Sequence, residues 1–268
     1  MKWEEINSDK FAQAVIDCQG VCILSLAVME RHGPHMPVGT DMIDGLHICS
    51  EAAKHEPAVV FPPWFLGQVY ESSCFPGAIT VPPGMLVDLL MHILDEIGRN
   101  GFTKIILYVS HGGNKFLAPF LAESQLQRPK PYQVYVTDFM AGQTPEEMRV
   151  WQKALETKEF GHACEMETSM LLAHRPDLVN MKALTADFHT LGRLSHVMQH
   201  GFNGFYWFGE YPTNYVGDSR PATAEKGRVI NESFIRSLAR FIKIVKDDKA
   251  AHALAAEFFG KERGIRGP

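Results

Sequence analysis

The sequence predicts an α/β protein of three layers, in which helices cover both faces of a mainly parallel central sheet (α/β/α). Short, continuously apolar runs, such as 21–28 (VCILSLAV) and 104–109 (KIILYV), alternate with longer segments of helical periodicity. Strands that are apolar at every position are buried on both faces, which is typical of parallel sheets. No internal repeat or composition break interrupts the 268 residues. We therefore predict a single domain over 1–268.

Each predicted element has a local reason. The run 21–28 is a buried strand, and 41–55 is a helix with Asp41 as its N-cap and Pro57 beyond its end. Apolar residues recur every three or four positions in 86–99, and Asn100-Gly101 ends that helix. The same criteria predict strands at 58–61, 104–109 and 133–137, and helices from 114 and at 145–157, 165–174 and 225–246. The segment 185–217, rich in glycine and aromatics, is expected to be a long loop or an oligomer contact.

Composition excludes several functional classes. Hydrophobic residues make up 46% and charged residues 21%, and the net charge is −5. A negative chain offers no basic field for nucleic acid, so we expect no nucleic-acid partner. No apolar run reaches membrane-spanning length, so we expect no membrane partner. The N-terminus lacks a signal-peptide core, and the 5 cysteines include no CxxC. A cytoplasmic protein is expected.

Three candidate metal ligands lie in the loop directly after the first predicted strand. Glu30 and His32 are two residues apart, so in an extended segment their side chains point to the same side. Prolines and a glycine then bend the chain and bring Asp41 back toward them. Each residue alone could be a turn residue or a helix cap. Carboxylates and an imidazole together in a stiffened loop favour a divalent metal.

A second polar loop, His111-Gly112-Gly113-Asn114, follows the strand at 104–109. Ligands in open α/β sheets bind at the edge formed by the carboxyl ends of the strands, so the two loops are expected to meet. His111 is a candidate metal ligand. Asn114 is a candidate substrate contact, or equally the cap of the next helix. The glycines match no phosphate-binding motif.

A third cluster, in the segment GHACEMETS, contains His162, Glu165 and Glu167. If the segment is helical, the two glutamates point in roughly opposite directions, so only one can face a shared metal site. The other would be solvated or would interact with the helix dipole. His162 lies just outside the helix and could pack, bind a metal or act as a general base.

A dinuclear hydrolase accounts best for these residues. Glu30, Asp41 and one glutamate of the third cluster, with a bridging hydroxide, balance the charge of two divalent cations. Asp41 is the natural bridging carboxylate, and His162 could pass a proton to a leaving nitrogen.

Competing catalytic patterns are weaker. Ser72 and Ser73 lack the GxSxG context of a serine hydrolase. His196 and His200 are four apart, but they lack the glutamate of the HExxH zinc motif.

The chain resembles the creatininase (creatinine amidohydrolase) family from residue 21 to about residue 227. The motif at 30–41 is similar to the family's E-x-H-G-P-H-x-P-x-G-T-D, and 111–114 to its HGGN. The segment 162–169 resembles H-A-x-E-x-E-T-S. FPGAIT at 75–80 and GDSRPATAEKG from Gly217 resemble two further family motifs.

This resemblance implies a three-layer α/β fold, a site for two divalent metal ions and hydrolysis of a non-peptide C–N bond. Zinc is the expected metal, with manganese or iron as alternatives. It implies a small-molecule substrate and a homo-oligomer, often a hexamer. The implied metal ligands are Glu30, His32, Asp41, His111 and Glu167. Glu165 is the alternative fifth ligand and a candidate substrate contact, and His162 is the implied catalytic residue.

Three departures from creatininase itself argue against creatinine as the substrate, and one is that the family's Glu-His before FPGT is Glu71-Ser72 here. The creatininase loop carries a Tyr-Glu pair where Gly112 and Gly113 stand here, and Lys158 and Glu159 are nearest to its substrate-holding Trp-Asp pair. We therefore expect an amidohydrolase that opens a small cyclic amide or formamide by attack of a metal-bound hydroxide. The alternatives are a non-catalytic scaffold with the same fold, or an amidase for small peptides.

Overall fold

A computed structural model describes residues 1–158 and 161–266, and contains one four-stranded sheet. Its strands are β1 (Val21–Leu26), β2 (Val59–Val60), β3 (Lys104–Val109) and β4 (Gln133–Asp138). Their order is β2-β1-β3-β4, and every neighbouring pair is parallel. The predicted parallel sheet is confirmed. Glu159 lies outside the described residues.

The helices fill the connections between strands and the C-terminal part of the chain. They are α1 (Ser8–Asp17), α2 (Thr40–His55), α3 (Pro83–Arg99), α4 (Asn114–Ser124), α5 (Pro145–Ala154), α6 (Glu165–His174), α7 (Ser195–Met198), α8 (Tyr206–Glu210), α9 (Ala224–Asp247) and α10 (Ala250–Arg266). None of the described helices combines the length and the apolar character that crossing a bilayer requires.

Side chains along the buried strands alternate between the two faces of the sheet, so the core has two halves. Ile23 and Ile106 pack on one face of the sheet with apolar residues of α2, α5, α6 and α9. Leu24 and Leu107 point to the other face and pack with α3 and α4. Successive side chains of a strand point to opposite faces, so a strand apolar at every position requires cover on both sides. The predicted three-layer α/β/α architecture is confirmed.

The structure corrects several predicted boundaries. β1 ends at Leu26 rather than at residue 28, and α5 ends at Ala154 rather than at 157. α3 begins three residues early, at Pro83, because proline is well suited to the first turn of a helix. The helices α1 and α10 were not predicted.

The segment 185–217 is largely the predicted loop, although it contains the two short helices α7 and α8. An isolated antiparallel bridge joins its end to the third motif, through His162 and Val216. The loop is thereby attached beside the candidate site.

Candidate metal centre

The loops after β1 and β3 meet at the carboxyl edge of the sheet. Leu26 and Val109 are in register at the ends of these neighbouring strands. His111 Nδ1 lies 2.8 Å from Glu30 Oε1 and 3.1 Å from Asp41 Oδ2. Residues separated by some eighty positions in the sequence therefore form one cluster, as the parallel-sheet argument expected.

Asp41 lies between two imidazoles. Its Oδ1 is 3.1 Å from His32 Nε2, and its Oδ2 is 3.1 Å from His111 Nδ1. The prediction that Asp41 is the N-cap of α2 is wrong: Gly39 holds that position, and Asp41 is the second helical residue. The change matters because a capping carboxylate turns back to the helix amides, whereas Asp41 points both oxygens at histidines.

Glu30 faces the other side of the cluster as well. Its Oε2 lies 3.7 Å from His162 Nε2 and accepts a hydrogen bond from Ser72 Oγ at 2.9 Å. Asn214 Nδ2 donates to the same oxygen at 3.2 Å. Glu30 is only 2% exposed. One carboxylate thus joins the His111 side of the cluster to the His162 side.

Two overlapping groups of side chains have the arrangement of metal ligands. The first comprises Glu30, His32 and His162, and the second comprises Glu30, Asp41 and His111. In each group, one potential ligand atom per residue lies within 4.8 Å of the others. This mixture of imidazole nitrogen and carboxylate oxygen suits zinc and manganese.

Unpartnered atoms support the same conclusion. Glu30 Oε1 and Asp41 Oδ2, which face His111 Nδ1, and His111 Nε2, which faces Glu71, are buried and form no hydrogen bond of regular geometry among the described residues. Buried polar atoms without partners are costly, and native proteins rarely leave them so. Two of the three belong to carboxylates that face a common imidazole. The residues present therefore fit a bound divalent cation.

Glu167 and Glu165 have different surroundings. Glu167 lines the same cavity as Glu30, Asp41 and His111. Its Oε2 accepts a hydrogen bond from Ala163 N at 2.6 Å, and burial raises the pKa of its carboxyl. The position suits a fifth ligand, although Glu167 belongs to neither three-residue group.

Glu165 is a structural residue in this fold. Its Oε1 is 2.6 Å from Lys226 Nζ, and its Oε2 accepts from Thr157 N at 2.7 Å. Glu156 N donates to both oxygens. Glu165 is fully buried and does not line the site cavity. The substrate contact of Glu165 stays a prediction, although both of its carboxylate oxygens already accept hydrogen bonds from the protein.

Asn114 also differs from its predicted role. It is the first residue of α4, after Gly113 at the N-cap, and it is fully buried. Its Nδ2 donates to Leu26 O at 3.0 Å and its Oδ1 accepts from Gln68 N at 2.9 Å. The prediction that Asn114 caps the helix is wrong, because Gly113 holds that position, and its substrate contact stays a prediction. The side chain instead connects the end of β1 to the loop that contains Gln68.

His162 lies beside the candidate ligands Glu30 and His32. Its Nε2 is 2.8 Å from Arg31 O, and its ring lies 4.2 Å from that of His32. Trp207 packs edge-on against it, with centroids 5.9 Å apart. His162 also lines the cavity. The same position suits a metal ligand or a group that transfers a proton, so the structure retains both interpretations.

The sequence argument missed two residues of the site, Glu71 and Asn214. Glu71 Oε1 lies 3.4 Å from His111 Nε2. Asn214 Nδ2 donates to Arg31 O at 2.6 Å, in addition to its contact with Glu30. Neither residue lies in a periodic segment or a ligand-spaced motif. Only the position of Glu71 just before FPGAIT could have indicated it.

Gly113 explains why this loop carries no extra carboxylate. A Cβ there would lie 2.0 Å from Gln68 Oε1 and 2.6 Å from His111 Nε2. Gln68 occupies the space beside the histidine, and its Nε2 donates to Glu71 Oε2 at 2.7 Å. A further acidic ligand must therefore come from another element, and Glu167 and Glu71 are the available ones.

Paired charges control the protonation of the cluster. Burial by itself raises the pKa of Glu30, but His162 and His111 hold it well below its ordinary value. Burial by itself lowers the pKa of His32, yet Asp41 raises it to about 10. The pKa of His111 is likewise raised well above its ordinary value, against burial, mainly by Glu30 and Asp41. The carboxylates therefore attract positive charge, as a cation site requires.

The cluster opens into a cavity of about 1080 Å³. Glu30, Asp41, His111, His162 and Glu167 lie at its base. Its remaining lining includes Tyr70 and Glu71 after β2, Leu117 of α4, and the aromatic segment around α8. A substrate in this cavity would therefore contact the candidate ligands directly.

Comparison with known proteins yields one family. A family model described as creatinine amidohydrolase, of the creatininase family, matches residues 4–242. A creatinine amidohydrolase of Pseudomonas putida is 24% identical over 253 residues, covering 84% of this chain and 90% of that protein. A mycofactocin precursor peptide peptidase of Mycolicibacterium smegmatis is 27% identical over 231 residues, covering 82% and 83% respectively.

Solved structures support the fold. A creatininase variant described as the Zn-Zn type superposes with a TM-score of 0.75 at 19% identity, over 92% of this chain and 98% of that one. A manganese creatininase gives a TM-score of 0.73 at 20% identity, over 92% and 99%. A structure from Bacteroides fragilis, described as a creatinine amidohydrolase, gives 0.73 at 22% identity, over 86% and 91%.

Proposed function

The chain belongs to the creatininase family, and from this premise we propose that it is a metal-dependent amidohydrolase that cleaves a non-peptide C–N bond. Members of this family are hydrolases of C–N bonds. The observation that carries the proposal is the convergence of the two ligand groups on Glu30, where buried oxygens of Glu30 and Asp41 face His111 without forming regular hydrogen bonds. A scaffold has no need of such an arrangement.

Two divalent ions, zinc or manganese, fit this site. Glu30, Asp41 and His111 would hold one of them, and Glu30 with His32, beside His162, would hold the other. Asp41 is the proposed bridging ligand because its two oxygens face different histidines. Glu167 is the proposed fifth ligand because it lines the same cavity as Glu30, Asp41 and His111.

Such ions would polarise the scissile carbonyl and lower the pKa of a water molecule enough for it to attack near neutral pH. The chain's own residues supply the remaining functions. Ser72 and Asn214 hold Glu30 in place through its Oε2. Residues that hydrogen-bond to a metal-binding side chain fix its orientation and commonly have a strong effect on metal affinity.

His162 is the proposed proton donor to the leaving nitrogen. It lines the cavity, and its contact with Arg31 O fixes the orientation of its ring. A histidine in hydrogen-bond reach of the substrate typically contributes on the order of 10²–10⁴-fold to the rate. If His162 is instead a ligand, its replacement will remove metal as well as activity.

Metal analysis with two matched variants tests the proposal. Asp41→Asn removes a proposed bridging charge, whereas Asp44→Asn, one turn along α2, changes a carboxylate that pairs with His174. The purified protein should bind two equivalents of zinc or manganese, and only Asp41→Asn should lose them. If the wild type binds neither metal, or if both variants bind equally, the proposed centre is wrong.

A second candidate substrate class is a small peptide. The relative from Mycolicibacterium smegmatis is named a peptidase, and the cavity here is large. The same metals and the same His162 would serve this reaction. Assays of the metal-loaded protein on cyclic ureides, formamides and short peptides distinguish the two classes.

A further inference from the structure

We propose that the substrate is an extended amide whose non-reacting part carries an aromatic ring or a comparably large apolar group. This group would lie against an aromatic wall formed by Phe202, Phe205, Tyr206, Trp207 and Phe208. The inference rests on the proposed function and adds the size and chemistry of the substrate. It separates this chain from hydrolases of small cyclic amides.

The aromatic wall and the metal-ligand cluster belong to one cavity. Its lining contains Glu30, Asp41 and His111 together with all five residues of the wall. A molecule whose scissile bond lies beside His111 can therefore extend to the wall without leaving the cavity. The contact between the rings of Trp207 and His162 joins the two regions directly.

The cavity is too large for a small cyclic amide alone. At about 1080 Å³, it is at the upper end of the roughly 300–1,000 Å³ range of pockets that bury drug-sized ligands. A single small ring at the metals would leave the rest of the cavity filled with water against apolar surface. A larger substrate covers that surface, which stabilises the complex by roughly 25 cal/mol per Å² of apolar area.

The wall itself is exposed and apolar. Phe205 is 76% exposed, Phe202 68% and Phe208 42%. Phe116 of α4, which is 84% exposed, lines the same cavity. Single exposed apolar residues are ordinary, but several around a catalytic cavity indicate a binding surface. Aromatic faces bind other rings favourably, by offset or edge-on packing.

The wall is also attached to the catalytic groups rather than free. Trp207 Nε1 donates a short hydrogen bond to Asn214 Oδ1, and Asn214 in turn donates to Glu30. Tyr206 packs edge-on against Trp207, with centroids 6.2 Å apart. A group bound at the wall is therefore held at a defined distance from the reacting bond, which favours a productive orientation.

The charged side chains that line the cavity do not favour a charged group on the non-reacting part of the substrate. Besides the cluster residues, the charged side chains that line the cavity in the described part of the chain are Glu71 and Lys115. Lys115 Nζ lies 3.6 Å from Asp138 and over the ring of Phe139. Glu71 accepts a hydrogen bond from Gln68. Each already has a protein partner, so apolar contact dominates at the wall.

Two hydroxamates that differ only in the distal group test the inference. Acetohydroxamate and 3-phenylpropionohydroxamate bind metal through the same atoms. The ratio of their dissociation constants therefore measures how much the aromatic wall contributes to binding. Calorimetry on the zinc-loaded wild type should show the phenyl compound binding at least about tenfold more tightly, roughly 1.4 kcal/mol. Phe205→Ala and Phe116→Ala should each reduce that ratio severalfold.

Phe120→Ala is the matched control. Phe120 is on the same helix as Phe116 and is 55% exposed, but it does not line the cavity. The ratio should remain unchanged in this variant. A wild-type ratio near one, or an equal loss of ratio in the control, overturns the inference. If Phe205→Ala instead dissociates an oligomer in sedimentation velocity, the wall is a subunit contact, and the inference is again wrong.

Hydrolysis supplies a second measurement. The value of kcat/KM should be higher for N-formylphenylalanine than for N-formylglycine, and Phe205→Ala should remove most of the difference. Cleavage of both compounds at equal rates overturns the substrate class and leaves the amidohydrolase proposal intact. Failure to bind either metal or acetohydroxamate overturns the proposed function and this inference with it.

Discussion

Glu165 and Glu167 are two residues apart in the first turn of α6, and the structure gives them separate roles. Glu165 forms an ion pair with Lys226 of α9, at 2.6 Å. Glu167 lines the cavity at the metal centre. The divergence follows from helical geometry, because positions i and i+2 point to different sides of a helix. Glu165 joins α6 to α9, and Glu167 faces the cavity.

The first prediction separates these two roles. Glu165→Gln removes the buried partner of Lys226 and should lower the free energy of unfolding by about 2 kcal/mol, because Lys226 loses a charged acceptor and keeps, as a charged partner, only the exposed carboxylate of Glu156. Metal content should be nearly unchanged. Glu167→Gln should leave the stability of the metal-free protein largely unchanged and weaken metal binding. Urea denaturation and metal titration measure the two effects, and a reversed pattern would show that the roles are interchanged.

The second prediction concerns Asn214, whose backbone has a φ of +50°. Asparagine tolerates this left-handed conformation better than alanine does. Asn214→Ala should therefore lose both backbone compatibility and the hydrogen bond to Glu30, which lowers metal affinity by roughly tenfold. Asn214→Gly restores the backbone and should recover about 1 kcal/mol of stability, but not the metal affinity. Equal metal affinity in wild type and Asn214→Gly would show that the side chain does not position Glu30.

The sequence predicted those parts of the fold that depend on short-range patterns. β3 was predicted at its observed bounds because every residue of KIILYV is buried. The meeting of Glu30 with His111 followed from a general property of parallel sheets. α10 has no regular apolar stripe in the C-terminal residues, and its existence depends on context that periodicity does not express.

The site residues that the sequence missed depend on tertiary contacts. Glu71 and Asn214 come from irregular segments, and their proximity to the ligands follows from how those segments fold back. Asn114 shows the converse limit of a motif. Its place in HGGN suggested substrate contact, but the motif did not indicate that its amide joins Leu26 O to Gln68 N. A motif identifies which residues are unusual, but it does not identify their partners.

The third prediction is a pH dependence of stability. The side-chain hydrogen bond from Arg240 is the main reason that the pKa of Glu147 falls to about 2, from an unfolded value near 4.5. A depressed carboxyl pKa stabilises the fold above the unfolded pKa, and this contribution is lost as the pH falls from about 4.5 toward 2. Because Arg240 is 42% exposed, the contribution is at most about 1 kcal/mol.

Glu147→Gln tests this contribution. Gln retains the capping box with Thr144 and removes the charge opposite Arg240. The stability difference between wild type and variant should be constant from pH 8 to 5 and shrink below pH 4.5. Glu146→Gln, on the same turn with an exposed partner in Arg149, is the control and should show a smaller difference. A difference that grows on acidification would contradict the assignment.

The fourth prediction concerns the close packing of α6 on α9. A Cβ on Gly227 would lie 1.8 Å from Ser169 O, a backbone atom that cannot move aside without shifting the helix. Gly227→Ala should therefore cost at least about 3 kcal/mol of unfolding free energy, more than ordinary overpacking of flexible side chains. Since α6 also carries Glu167, metal binding should weaken in the same variant.

Gly260→Ala on α10 is the control. A Cβ at this position meets nothing within 4 Å, so the variant should be neutral or up to about 1 kcal/mol more stable, from helix propensity. Chemical denaturation of both variants measures the contrast. Equal stability of Gly227→Ala and wild type would mean that α6 and α9 do not approach as closely as this, and the position of Glu167 beside Asp41 would lose its structural basis.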